Sequence, residues 1–401
     1  MTKVHSMALD ITISVNRIIN KVEGKSNGPT IVFFAGIHGN EPAGVVALEQ
    51  ELGKLEKRKQ FVEGTVYGIC GNLKALEAER RYIEEDLNRI WETNHLNSLG
   101  EKHHLNPEEQ EQVQLFSLLQ EILSTEKAPF YFIDFHTTSS KTIPFITIND
   151  ATINRKFSGL FPVPIVLGIE EHLNGPLLSY INELGYVSLG FESGQHDEKE
   201  AIENAIAFIH LTLLFSGCTS TTHFPEQNIY YDQLKKASEG LRDVFEVIDL
   251  YTITNNENFE MQPGFRSFQR IEKEIVLATS NLMPIQSNYA GRLFMPLYQR
   301  EGSEGFFIIK KIKPIYLKAS LMIRNLKLDN LLSFLPGVKW EDNNKKALIA
   351  DLKIAKFLVK PLFHLLGYRN RQINEDHIRL HNRERASKLD MYKNQFWFKG
   401  S

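Results

Sequence analysis

Residues 31–44, IVFFAGIHGNEPAG, constrain this chain more than any other stretch. The unbroken apolar run Ile31–Phe34 reads as a strand buried on both faces. It breaks at Gly36, presents His38 and Glu41 on either side of Gly39, and passes Pro42 into a helical pattern carrying Val45, Val46, Leu48, Leu52 and Leu55. A strand, a Gly-rich turn and a helix make one unit of an open α/β sheet, which places ligands outside the carboxyl ends of its strands. His and Glu are zinc donors, at about 2.0–2.2 Å. The same spacing recurs at His223/Glu226 and His381/Glu384, so the setting and not the spacing marks out the first pair.

The unit repeats along the chain. Strands are expected over 11–24, 29–37, 64–72, 129–138 and 186–194, and in PFITIND and VPIVLGI. Helices are expected over 42–56, from Pro107 to about Ser124, in GPLLSYINELG, and from Asp197 to about Phe215. RRYIEEDLNRIW (80–91) has no clear period, and 92–106 reads as a loop. Alternating strands and helices predict a doubly wound, mainly parallel sheet. After about residue 225 comes one helix over 232–240, then short strands separated by turns, which predict a smaller β-rich domain. From about 313 the pattern turns helical, with a basic amphipathic run KKALIADLKIAKFLVK at 345–360. The expected division is a catalytic α/β domain over 1–225, a β-rich domain over 226–312 and a basic helical extension over 313–401.

A chain of 401 residues exceeds one small core. Its two cysteines cannot build a disulfide framework, which points to a reducing compartment. No run approaches the ~18 apolar residues of a membrane span, and the first residues lack a signal-peptide pattern, so a cytoplasmic location is expected. Charge is unevenly spread. Residues 310–401 hold 20 Lys+Arg against 8 Asp+Glu, while the preceding residues hold 26 against 41. Such a tail either meets an anionic membrane or nucleic acid or packs on its own acidic body.

The chemistry gathers at expected strand ends. His38 and Glu41 follow one strand, His136 in DFHTTSS follows another, and Glu192 in FESG follows a third. Two His and one Glu leave a fourth zinc position open, the pattern of a catalytic site, and Glu192 is the natural general base. Asp134 either supports a ligand from behind or faces the core. Arg80, Arg81 and Arg89, with Asn88, either recognise a carboxylate and a developing oxyanion or form a solvated charged loop.

GIHGNEPAG, RYIEEDLNR, DFHTTSS and FESG, in this order, resemble the succinylglutamate desuccinylase/aspartoacylase family, over roughly 28–215 and more weakly to about 312. The resemblance implies a zinc carboxypeptidase-like fold and one Zn2+ per chain held by His38, Glu41 and His136. It further implies Glu192 as general base and then acid, Arg81 as stabiliser of the oxyanion, and Asn88 and Arg89 as holders of the substrate carboxylate. The implied reaction removes an acyl group from an N-acyl amino acid or related small metabolite, at an amide or an ester, by Glu-assisted attack of zinc-bound water. Two features depart from the family. No Arg or Lys occurs between Lys156 and Lys199, where aspartoacylase has an Arg that reads the side-chain carboxylate, and SGQH replaces the usual Gly-Pro after the Glu. The rival readings are a zinc carboxypeptidase acting on a peptide or cell-wall fragment, and a binding protein whose basic tail engages an anionic membrane or nucleic acid. A homo-oligomer is left open.

Overall fold

Four apolar runs meet side by side to make the middle of one sheet. The computed structural model describes residues 1–254, 256–325, 332, 334–341, 347–355, 368–372 and 377–399. The first half runs β1 (Thr2–Ser6), β2 (Ile11–Val15), β3 (Ile18–Glu23), β4 (Ser26–Ala35), α1 (Ala43–Glu56), β5 (Glu63–Cys70), α2 (Leu73–Glu77), α3 (Thr93–Ser98) and α4 (Pro107–Thr125). It continues with β6 (Phe130–Thr138), β7 (Phe145–Ile148), α5 (Thr152–Ser158), β8 (Ile165–Leu167), α6 (Leu177–Glu183), β9 (Val187–Gln195) and α7 (Lys199–Phe215). Strands β5, β4, β6 and β9 are parallel neighbours. Alternate residues of β4 serve two cores, as the two-residue period of a strand requires. Ile31, Phe33 and Ala35 pack with α1 and α7, while Val32 and Phe34 pack with α4 and α6. The result is a mixed α/β fold with a large, mostly parallel central sheet covered on both faces.

The sheet does not stop at residue 225. After α8 (Gln227–Ala237), β10 (Val244–Thr252) pairs in parallel with β8. Then come β11 (Phe259–Met261), β12 (Arg270–Ile271), β13 (Val276–Ser280), β14 (Met283–Gln286), β15 (Gly291–Phe294) and β16 (Glu304–Lys311). Strands β16, β15 and β12 extend the sheet antiparallel beyond β10, giving eleven strands in the order β12-β15-β16-β10-β8-β7-β9-β6-β4-β5-β3. Phe145 of β7 shares an apolar cluster with Phe245, Phe294 and Phe307, so the β-rich stretch is packed onto the first half through a common core.

Three local expectations are corrected. Residues 11–24 form two strands in different sheets, because the chain turns at Arg17, whose guanidinium donates to the Cys70 carbonyl (2.7 Å) and pairs with Glu111. The expected loop 92–106 contains the short helix α3. The C-terminal extension is not simply helical. It has α9 (Pro314–Asn325) and then β17 (Val338–Trp340), β18 (Ala347–Asp351), β19 (Tyr368–Gln372) and β20 (His377–Asn382), an antiparallel sheet in the order β17-β18-β20-β19. Within the expected basic helix, 347–351 is a strand because Leu348 and Ala350 alternate into a core with Val338, Tyr368 and Leu380. Leu352–Ala355 is one helical turn, and 345, 346 and 356–360 lie outside the described residues.

Two buried arginines of this extension, Arg324 and Arg383, turn inward. Arg383 pairs with Glu170 (2.7 Å) and Glu171 (3.0 Å), and Arg324 with Asp150 (2.7 Å). The Tyr392 hydroxyl donates to the Phe130 carbonyl (2.5 Å) and accepts from the Val187 amide (3.0 Å), joining the starts of β6 and β9. Trp397 packs against Tyr131 and Phe157. Here the basic tail meets its own acidic body. No described helix is long and apolar enough to cross a membrane.

Trp397 is 4% exposed. Trp397→Ala is expected to lower unfolding free energy by about 3 kcal/mol, from lost burial and the cavity left behind. Urea denaturation of the full chain measures it, and a change below about 0.5 kcal/mol would mean that the tail does not hold the body together.

Candidate functional site

The turn after β4 is built for close approach. Gly36 takes a left-handed φ of 69°. At Gly39 a Cβ would lie 2.0 Å from the Ala75 backbone, so only glycine lets the turn sit against α2. This tucks His38 and Glu41 into the interior, at 4% and 3% exposure. From the neighbouring strand β6 comes His136, and from β9 comes Glu192, directly opposite His136 in the register. Both lie within their strands, near the carboxyl ends and not beyond them.

Glu41 is the hub. Its Oε1 lies 2.8 Å from His38 Nδ1, and its Oε2 lies 3.1 Å from His136 Nδ1 and accepts from the Thr137 amide at 3.0 Å. Behind the imidazoles stand two more carboxylates. His38 Nε2 is 3.1 Å from Asp86 Oδ1, and His136 Nε2 is 2.8 Å from Asp134 Oδ2. Residues 134 and 136 share one face of β6, so Asp134 supports the His. An ionised carboxylate only accepts, so each Nε2 carries a proton and each Nδ1 points to Glu41. One donor atom from each of His38, Glu41 and His136 can be chosen so that all lie within 4.8 Å of one another. A cation bound by Glu41 and the two Nδ1 atoms would take the place of these Nδ1–carboxylate contacts. Burial alone would raise the Glu41 carboxyl, yet His38 and His136 hold it well below the usual range. Burial would likewise lower His136, and Asp134 and Glu41 hold it well above.

The expected cationic cluster divides. Arg81, its side chain 11% exposed, donates from Nη2 to Asp86 Oδ2 (2.9 Å), and its Nη1 is 3.6 Å from Glu41 Oε1. Arg80 points away and pairs with Glu301 (3.0 Å). Arg89 lines the pocket and pairs with Glu304 of β16 (3.2 Å). Asn88 lines it too, but its Oδ1 accepts from the Leu177 amide at the start of α6 (2.9 Å), so its NH2 group is the part that suits a carboxylate. The segment is not a solvated loop. Glu108 at the start of α4 is fully buried, and its carboxylate accepts from Asn72 Nδ2 (2.9 Å) and the Ile83 (2.7 Å) and Glu84 (3.1 Å) amides. Gln112, one turn on, donates to the Ile90 carbonyl (2.8 Å).

Glu192 is 7% exposed, and its Oε2 has no hydrogen-bond partner among the described residues. Burial pushes its carboxyl up to about 8. The segment between β15 and β16 closes one side of the site. Gln299 Oε1 accepts from Asn40 Nδ2 (3.0 Å) and lies 3.1 Å from His196 Nε2, and Met295 lines the pocket beside the triad. Asp86, Glu108, His196, Gln299 and Glu304 are site residues that the sequence reading missed. Asp86 stands in RYIEEDLNR among other acids, and nothing local separates it from them. The other two His-x-x-Glu pairs are engaged elsewhere: Glu226 pairs with Arg58 (2.7 Å) and Glu384 with Arg324 (2.8 Å).

Residues 27–206 match the family described as Succinylglutamate desuccinylase/Aspartoacylase catalytic domain. The succinylglutamate desuccinylase of Photorhabdus laumondii is 32% identical over 121 residues, which cover 30% of this chain and 37% of that protein. That of Pseudomonas aeruginosa is 28% identical over 119 residues, 30% of this chain and 34% of the relative. The matched stretch thus spans about a third of these relatives' own length. Two crystal structures share the fold. A succinylglutamate desuccinylase/aspartoacylase from Rhodobacter sphaeroides superposes with a TM-score of 0.55 at 16% identity, covering 76% of this chain and 91% of that one. A succinylglutamate desuccinylase from Vibrio parahaemolyticus gives 0.51 at 13% identity, covering 77% and 95%. Over residues 27–206, this chain is thus similar to the catalytic domain of the succinylglutamate desuccinylase/aspartoacylase family.

Proposed function

We propose that this chain is a zinc-dependent deacylase that cleaves the acyl–nitrogen bond of a small N-acyl amino acid. One observation carries the reading: a buried His38–Glu41–His136 triad lies beside a buried carboxylate, Glu192, with an unpartnered oxygen. Relatives of the matched domain bear the names of enzymes that remove an acyl group from an amino acid.

His38, Glu41 and His136 would hold the metal. Two imidazole nitrogens and a carboxylate suit zinc and leave a coordination position open. When bound, zinc supplies Lewis acidity, lowering the pKa of a water and polarising a carbonyl. Glu192 accepts the proton of the attacking water as its oxygen adds to the acyl carbon. Its carboxyl titrates high because it is buried, and a cation in the adjacent triad lowers it toward the ionised form that a base requires. The Arg81 guanidinium faces the charge that develops on the former carbonyl oxygen. As the C–N bond breaks, Glu192 returns the proton to the leaving nitrogen, giving a carboxylic acid and a free amino acid. Arg89 and the NH2 group of Asn88 hold the α-carboxylate.

A peptide-cutting carboxypeptidase is the less favoured reading. Gln299 tied to Asn40 and His196, and Glu301 tied to Arg80, fix a wall across the site that suits a small substrate. A binding protein with an anionic macromolecule on its tail is less favoured because Arg324 and Arg383 are spent on Asp150, Glu170 and Glu171.

Elemental analysis of zinc-loaded protein is expected to give about one zinc per chain, lost in the His38→Ala/His136→Ala double variant. A correctly folded wild type that takes up no zinc sinks the reading. Glu192→Gln is expected to keep zinc and lose turnover by about 1,000-fold; unchanged turnover would strip Glu192 of its role.

A pH dependence follows for the metal-free chain. A carboxyl raised from 4.5 to about 8 keeps its proton when folded over a window where the unfolded chain has lost it. Its contribution to stability therefore falls as pH climbs from about 4.5 to about 8. Metal-free Glu192→Gln is expected to gain stability relative to metal-free wild type progressively across that window. A difference in Tm that does not change between pH 5 and 8 would refute the raised carboxyl.

A further inference from the structure

The charges around the pocket set a limit on the substrate. Among the described residues, the cations lining the cavity that holds the triad and the cavity adjoining it are Arg81 and Arg89. Each already faces an acid: Arg81 faces Asp86 at 2.9 Å, and Arg89 faces Glu304 at 3.2 Å. The walls also present Glu170, which is 1% exposed and held from behind by Arg383 at 2.7 Å. Much of the remaining lining is uncharged. Ile169, Leu173, Leu178 and Met295 supply apolar surface, and Thr147 and Ser179 supply neutral hydrogen-bonding groups.

In the deacylase reading, on which this inference rests, the two arginines have fixed tasks. Arg81 serves the oxyanion, and Arg89 serves the single α-carboxylate, which displaces or shares Glu304. No described cation is left for a second carboxylate, on the acyl group or on the side chain. Such a group would lose its water, gain no counter-charge and meet the field of Glu170 and Glu304. Desolvating an unpaired carboxylate is costly, whereas an aliphatic side chain against Ile169, Leu173 and Leu178 gains from burial. We infer that the substrate is a monoanion: an N-acyl amino acid whose acyl group and side chain are both uncharged, with an aliphatic side chain or a thioether such as methionine preferred.

The test uses the zinc-loaded full chain with N-acetylleucine, N-acetylmethionine, N-acetylaspartate and N-succinylglutamate. The first two are expected to exceed the last two about 100-fold in kcat/KM, the scale on which a site rejects a group that it leaves unpaired. Calorimetric titration of zinc-loaded Glu192→Gln, which holds substrate without turnover, is expected to give the same ranking in Kd. Equal or better hydrolysis of either dicarboxylate overturns the monoanion inference and leaves the deacylase reading standing. Hydrolysis of none of the four by zinc-loaded wild type overturns both.

Discussion

The Glu41 carboxylate is the constraint on which the rest of the site depends. It lies between two imidazoles from different strand ends and is fastened by the Thr137 amide. Burying a carboxylate is costly unless its charge is matched. Around it are two more carboxylates, Asp86 and Asp134, and one guanidinium, Arg81. With neutral imidazoles, three negative charges face one positive charge. A divalent cation between the imidazoles would offset this imbalance. The residues that draw the imidazoles into position are therefore also those that leave a cation-sized deficit between them.

That arrangement demands a rigid support, and the sheet provides it. Register pairs His136 with Glu192, so their separation is set by strand spacing and not by side-chain flexibility. The loop carrying Arg81, Asp86, Asn88 and Arg89 has no regular ladder to satisfy its backbone N–H and C=O groups. Glu108 and Gln112 on α4 do so instead, which turns an irregular segment into a fixed one. A buried Glu that accepts from three backbone amides and a side-chain amide does for this loop what a neighbouring strand does for His136.

These two kinds of support explain what the sequence could disclose. His38 and Glu41 were legible because an apolar run followed by glycine has one common structural meaning. His136 and Glu192 stood out as polar residues closing apolar runs. Their direct pairing was not legible, because parallel neighbours are set by tertiary packing and β6 and β9 are separated by β7, β8 and two helices. In the sequence, Glu108 is an acid in a helix's first turn, where the helix dipole alone accounts for it, and Asp86 is one of several neighbouring acids. Burial distinguishes them, and burial is not local. Leu348 and Ala350 fit either a helical stripe or a strand's alternation, and partners on β17 and β20 decided for the strand.

The same distinction separates reaction from selection. The groups proposed to do the chemistry come from the turn after β4, the loop before α4, and β6 and β9. The wall that chooses the substrate is drawn from farther away: Met295 and Glu304 from the β-rich stretch, and Glu170 held by Arg383 of the extension. Changing Ile169, Leu178 or Met295 alters what fits without touching a hydrogen bond of the triad. Changing Glu108 or Gln112 leaves the wall intact but frees the loop that carries Arg81 and Asp86. A site assembled in this way can shift specificity through its distant parts while the cost of burying Glu41 keeps the reaction centre fixed.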